Sequence, residues 1–185
     1  MLIKLKGYKM KNQLTTPGFL ILTGMVLAAA FVRLIPHPPN FAPIAAMALF
    51  GGAYFTKKWA AFLIPLLALF ITDLIIGFHG TMWAVYLSFI LIVMIGMLMI
   101  KKKKVSNIFL ASVSSSVLFF IISNFGVWLT GPYYSKDIAG FTTCYTAAIP
   151  FFHYTLLGDL FFVALLFGAY EIAKEKIPQL AGLKT

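Results

Sequence analysis

Acidic residues are scarce in this chain. Five Asp and Glu stand against 15 Lys and Arg in 185 residues, and charged side chains together make up only 11%. A water-soluble domain of this length carries about a quarter charged residues, so a soluble globular fold is excluded. Cysteine is almost missing as well. Cys144 stands alone, which rules out an intrachain disulfide and leaves the redox compartment unassigned. No phosphate loop, no Gly-x-Ser-x-Gly elbow and no metal-ligand spacing occurs. Nor does the sequence set a Ser or Cys nucleophile beside a His–Asp pair. Neither an enzyme nor a cofactor is expected.

What fills the chain is apolar: 61% of residues are hydrophobic and the mean hydropathy is +0.94. A bilayer span needs roughly 20 mostly apolar residues, and six such runs can be read, at about 18–35, 40–55, 59–77, 82–100, 106–130 and 147–172. They are continuous rather than alternating, so helices are expected and barrel strands are not. The fold class is therefore an all-α integral membrane protein in one domain, 1–185, with about six transmembrane helices. The second run is short and carries Pro43 near its start, which predicts a tilted, kinked or partly re-entrant helix. Ala28–Ala30 after a basic start imitate a signal-peptide cleavage site. The run continues to Ile35, however, long enough to span.

The formal charge of +10 would suit nucleic acid if the lysines formed one patch. Instead they flank apolar runs. Lys4, Lys6, Lys9 and Lys11 precede the first, Lys57 and Lys58 follow the second, Lys101–Lys104 follow the fourth, and Lys174, Lys176 and Lys184 close the chain. Only Arg33 and Lys136 fall in the alternate connections. By the positive-inside rule both termini are expected in the cytoplasm, with membrane lipids rather than nucleic acid as the charged partners.

On that topology the costly residues gather toward the outer side. Arg33, His37 and Asn40 lie on the first outer connection, and Asp73 near the outer end of span three. Asn124 and Trp128 sit four apart in span five, and His153 and Asp159 enter the membrane on span six. Tyr133, Tyr134, Cys144 and Tyr145 fall in a connection read as a loop over 131–146. Ionisable groups in the hydrocarbon normally face a bundle interior or a water-filled cavity. A channel would line the whole thickness with polar groups, whereas here the inner halves are nearly pure Leu, Ile, Phe, Met, Ala and Gly. The pattern predicts a pocket open to the outside, shaped by these residues, with the tyrosines and the 131–146 loop as a lid. Arg33 has other uses: it snorkels to headgroups, pairs with Asp73, or meets a ligand. Asp159 is protonated, hydrogen-bonded across helices, or functional.

Gly24 and Ala28 form a small-xxx-small pair that either packs inside the bundle or docks another membrane subunit. Ser112, Ser116 and Ser123 make a stripe suited to tight helix packing. Cys144 is an ordinary loop cysteine or, as a speculation, a soft-metal ligand.

Three stretches, RLIPHPPNFAPIAAMALFGGAYF, SNFGVWLTGPYY and CYTAAIPFFHYTLLGDLFF, resemble an uncharacterised bacterial family of small six-span proteins that carry a transport label. More remotely, the six spans, inner termini and outward pocket resemble the substrate-binding S-components of energy-coupling factor (ECF) transporters. That likeness implies an S-component-like bundle in the bacterial cytoplasmic (inner) membrane. It implies capture of a vitamin or similar micronutrient outside, and a T subunit with two ATPases as partners. Gly24 and Ala28 would match, with one substitution, the Ala-xxx-Ala docking motif of such proteins. Two other readings stand beside it: a stand-alone or proton-coupled transporter, with Asp159 as proton carrier, and an envelope scaffold whose polar residues only fasten helices.

Overall fold

The computed structural model describes residues 16–177. It contains six helices: α1 (Pro17–Val32), α2 (Ile44–Tyr54), α3 (Lys58–Ile76), α4 (Met82–Met99), α5 (Val105–Thr130) and α6 (Ile138–Lys176). Four of them, α3 to α6, are long and apolar enough to cross a membrane; α1 and α2 are shorter apolar helices. The lysines read at 4, 6, 9, 11 and 184 lie outside the described residues.

Local chemistry sets the boundaries. Pro17 opens α1 at a position where its missing N–H removes no helical bond, and the Thr16 hydroxyl accepts from the Phe19 amide at 3.3 Å. Gly77, at φ 103, closes α3 in a backbone conformation that other residues enter only with strain. The largest departure from the sequence reading is α6. The connection expected over 131–146 spans only 131–137, and the helix begins at Ile138. Asp137 caps it by accepting from the Gly140 amide at 2.7 Å. Two threonines of this stretch turn their hydroxyls onto the helix itself, Thr142 to Ile138 O and Thr143 to Ala139 O. A polar residue whose hydroxyl meets a carbonyl one turn back sits comfortably in a helix. Cys144 and Tyr145 are thus helical residues, not loop residues.

Packing places α2 at the centre. It touches every other helix, while α1, α3, α4, α5 and α6 contact one another in sequence and close a ring around it. Its sequence, IAAMALFGGAY, explains this: Ala45–Gly52 are all buried, and small residues let neighbouring backbones approach. The closest approach is to α4. A Cβ on Gly52 would lie 2.2 Å from the Val93 carbonyl oxygen, and one on Gly96 would lie 2.6 Å from that of Leu49.

The connections alternate between two ends of the bundle. One end carries Lys57, Lys58 and Lys101–Lys104; the other carries the 33–43 elbow and the 77–81 and 131–137 connections. Toward the lysine end the axis is plugged by Phe50, Tyr54, Phe167 and Tyr170, with ring centroids 4.4–5.7 Å apart. Tyr54 donates to Glu171 at 2.7 Å, Glu171 pairs with Lys174 at 2.9 Å, and Lys103 lies 5.4 Å over the Tyr54 ring. Desolvation, and then the nearby Lys174, push the Lys103 ammonium below its ordinary value. Toward the elbow end the axis is different. With 11 residues α2 is about 16 Å long, roughly half the ~30 Å hydrocarbon thickness. The ring around it is left without a central helix on that side.

Candidate functional site

The elbow enters this unfilled half. Pro38 to Phe41 form a tight turn, with the Phe41 amide donating to Pro38 O at 3.0 Å. Asn40 stands at φ 64. Proline before a positive-φ residue is the signature of a type II turn, whose third position takes Gly or Asn. The turn is anchored on α6, where the Phe41 ring lies 5.8 and 5.5 Å from Phe161 and Phe162. At Gly158 of α6 a Cβ would come within 3.1 Å of the Phe41 Cα. Asn40 is thereby held in a fixed place.

That place is the partition between two cavities. The smaller, about 310 Å³, lies over the start of α2 and is lined by Arg33, His37, Asn40, Ile44, Ala45 and Asp159, among others. The larger, about 420 Å³, lies between α4, α5 and α6. Its walls include Phe120, Asn124, Tyr134, Cys144, Phe151 and Phe152. Asn40, Phe119 and Thr155 border both, so the two are adjacent lobes that share one wall.

Arg33, just past the end of α1, reaches α3. Its guanidinium donates to Asp73 Oδ1 at 2.8 Å, to Thr72 Oγ1 at 2.5 Å and to Leu69 O at 3.4 Å. The other Asp73 oxygen accepts from Tyr86 of α4 at 2.8 Å. Both side chains are nearly buried, at 11% and 7% exposed, and the network fastens three helices. Asp73 stands as the counter-ion of Arg33 rather than as a cavity wall.

Asp159, 3% exposed, contrasts with it. Its Oδ2 accepts from Ser116 of α5 at 2.6 Å. Its Oδ1 has no partner among the described residues. At the floor of the same lobe the amides of Ile44, Ala45 and Ala46 donate to no carbonyl, because α2 starts at Pro43 without a side-chain cap.

The remaining expected site residues divide. Asn124 lines the larger lobe, its amide nitrogen tied to Phe120 O at 2.8 Å, and Tyr134 lines it from the 131–137 connection. Cys144 is buried in the same wall, 3.6 Å from Asn124 O. Trp128 lies outside both lobes and latches the connection by donating to Ser135 O at 2.9 Å. Lys136 closes it further onto the Trp128 and Gly131 carbonyls. The bond from the Gly140 amide, and then the Ser135 hydroxyl, hold the Asp137 carboxyl below its usual range, so this cap is intact at neutral pH. Tyr133 is 82% exposed and His153 is exposed, stacked on Tyr154 at 4.0 Å; neither reaches the cavity. Gly24 and Ala28 lie on the outer surface of α1, with nothing within 4 Å of a Cβ at Gly24. Among the described residues no group of three His, Cys, Asp or Glu is arranged for a metal ion.

Sequence reasoning did not single out Thr72, Tyr86, Thr155 or Phe119, and it took Ser116 for packing alone. Ser116 carried a usable signal: it and Asp159 are polar residues at similar depth on consecutive helices, and either would be costly alone.

Fold and site together define a helical bundle, with four helices long and apolar enough to cross a membrane, and at one end a largely apolar cavity carrying a few polar groups. The chain belongs to a family of unknown function, DUF6580, which matches residues 13–180. No curated protein and no solved structure matches it.

Proposed function

We propose that the two-lobed cavity binds a small organic solute entering from the elbow end, and that the protein is a substrate-capture subunit for uptake of a micronutrient such as a vitamin. The observation that carries this reading is the asymmetry of the axis. One half is plugged by four interlocked aromatic rings, and the other holds open space walled by Arg33, Asn40, Asn124 and Asp159. Ligand sites are concave and mostly apolar, with a few placed polar groups. In this reading the positive-inside rule, applied to the lysines, has the plugged end and both termini face the cytoplasm, in the inner membrane of a bacterium.

Capture alone does no work, so energy would come from partners. In the S-component-like reading these are a T subunit and its ATPases, and the smooth exposed patch at Gly24 and Ala28 is where such a subunit would dock. The burial of Asp159 at a helix interface favours one further reading, in which it carries a proton for a stand-alone transporter.

Native mass spectrometry of the detergent-purified protein tests the binding reading. A co-purified adduct of vitamin-like mass is expected on the wild type. It should be lost from Thr155→Trp, which fills the wall common to both lobes. Bare monomer from cells that require the nutrient would overturn the proposal.

A further inference from the structure

We propose that the cavity selects a solute carrying a cationic nitrogen on an apolar ring, with the nitrogen seated on Asp159 and the ring in the larger lobe. This deepens the solute-site reading and rests on it.

The smaller lobe offers two candidates for fixing a charged ligand, Arg33 and Asp159. Arg33 would suit an anion, but its charge is already answered. Asp73 neutralises it at 2.8 Å, and two more of its contacts go to Thr72 and Leu69. His37 is exposed on the elbow with Nδ1 3.0 Å from Pro38 O. Asp159 has no such answer. The ion pairs among the described residues are Arg33–Asp73 and Lys174–Glu171, and neither includes it. One hydrogen bond, from Ser116, reaches one oxygen. A buried carboxylate with a free oxygen on a cavity wall is completed by a cation with N–H donors, through charge-assisted hydrogen bonds.

The start of α2 weighs the other way, since its unpartnered amides favour negative charge. A helix terminus carries only about half an elementary charge, spread over several amides, and Asp159 offers a carboxyl oxygen with no partner among the described residues. These amides suit an acceptor oxygen on the ligand rather than setting its net charge. The larger lobe supplies the apolar half: Phe120, Phe151, Phe152 and Tyr134 surround it, with Asn124 and Ser123 as polar contacts. Such walls hold a flat ring by edge and face contacts.

Three probes of similar size separate the cases: 2-phenylethylammonium, 2-phenylethanol and 3-phenylpropionate, each titrated to millimolar concentration against the purified full-length protein. The ammonium is expected to raise the melting temperature by about 3–6 °C once it exceeds its dissociation constant tenfold. The alcohol and the carboxylate should give little. Asp159→Asn, nearly isosteric, should abolish the ammonium shift. Gly24→Val, on the outer surface of α1 and away from both lobes, should retain it and so controls for general damage from substitution. Equal stabilisation by the alcohol would show a neutral carboxyl that donates, and overturns the proposal. So does greater stabilisation by the carboxylate, a full ammonium shift in Asp159→Asn, or no shift with any probe. The two readings fail separately: a co-purified adduct identified as an anion sinks the cationic class and leaves the solute site standing, whereas bare monomer from cells that require the nutrient overturns the solute site itself.

Discussion

Arg33→Ala should lower stability by about 3–5 kcal/mol, the cost of leaving one member of a buried ion pair without its partner. For a chain of this length that corresponds to a fall on the order of 10 °C in melting temperature. The expectation follows from what the guanidinium holds. It bonds Asp73, Thr72 and Leu69 on α3, and Asp73 in turn takes the Tyr86 hydroxyl from α4. Removing Arg33 leaves Asp73 with Tyr86 alone. Its hydroxyl donates one hydrogen bond and brings no positive charge. The paired replacement Arg33→Met with Asp73→Leu should recover most of the loss, because well-packed apolar groups often substitute for a buried pair at little cost. Thermal unfolding of the three proteins in one detergent reads this directly. If the double replacement is as unstable as Arg33→Ala, the network is not what secures these helices.

The second large effect is steric and lies in the other half of the molecule. Gly52→Val should cost about 3 kcal/mol, at the upper end for overpacking, and broaden the monodisperse peak in size exclusion. The obstacle is backbone: the Val93 carbonyl oxygen at 2.2 Å and the Met97 amide nitrogen at 3.1 Å from the added Cβ. Neither can swing aside as a side-chain tip would. Gly24→Val is the control, since nothing lies within 4 Å there, and its thermal stability should match the wild type. Equal loss from both would mean that valine harms these helices generally, and that the α2–α4 approach is not special.

These two sites also mark what a reader of the sequence can and cannot recover. Scarcity of charge and the long apolar runs make the helical, membrane-embedded character legible at once. The shortness of α2 is visible in Pro43 and in the small-residue run that follows. Its central position is not visible, since ring closure depends on which helices touch. A pocket on the side away from the lysines was expected from the polar residues, but not its place over α2, which arises from a length difference between α2 and the helices around it. The polar residues were legible as a class, but their partners were not. Arg33 and Asp73 meet across 40 positions, and Ser116 and Asp159 across 43. His153 shares their composition and lies outside the cavity, because its helix face points outward. The early start of α6 was not legible for a local reason: threonine hydroxyls that bond one turn back, as at 142 and 143, look the same in sequence as those of a loop.

The elbow joins these strands. Its prolines and the positive φ of Asn40 fix a turn whose phenylalanine is clamped on α6 and whose asparagine divides the cavity. Fastening helices and shaping a site are here the same structural act.

The central claim is that this cavity is reached from the end opposite the lysines and closed from the other. Thiol labelling of Thr155→Cys in a Cys144→Ser background tests it most directly, because Thr155 borders both lobes. A membrane-impermeant trimethylammonium methanethiosulfonate should label this thiol in intact cells and leave it unreacted in inside-out vesicles. Labelling from the lysine side only, or from neither, would contradict the account.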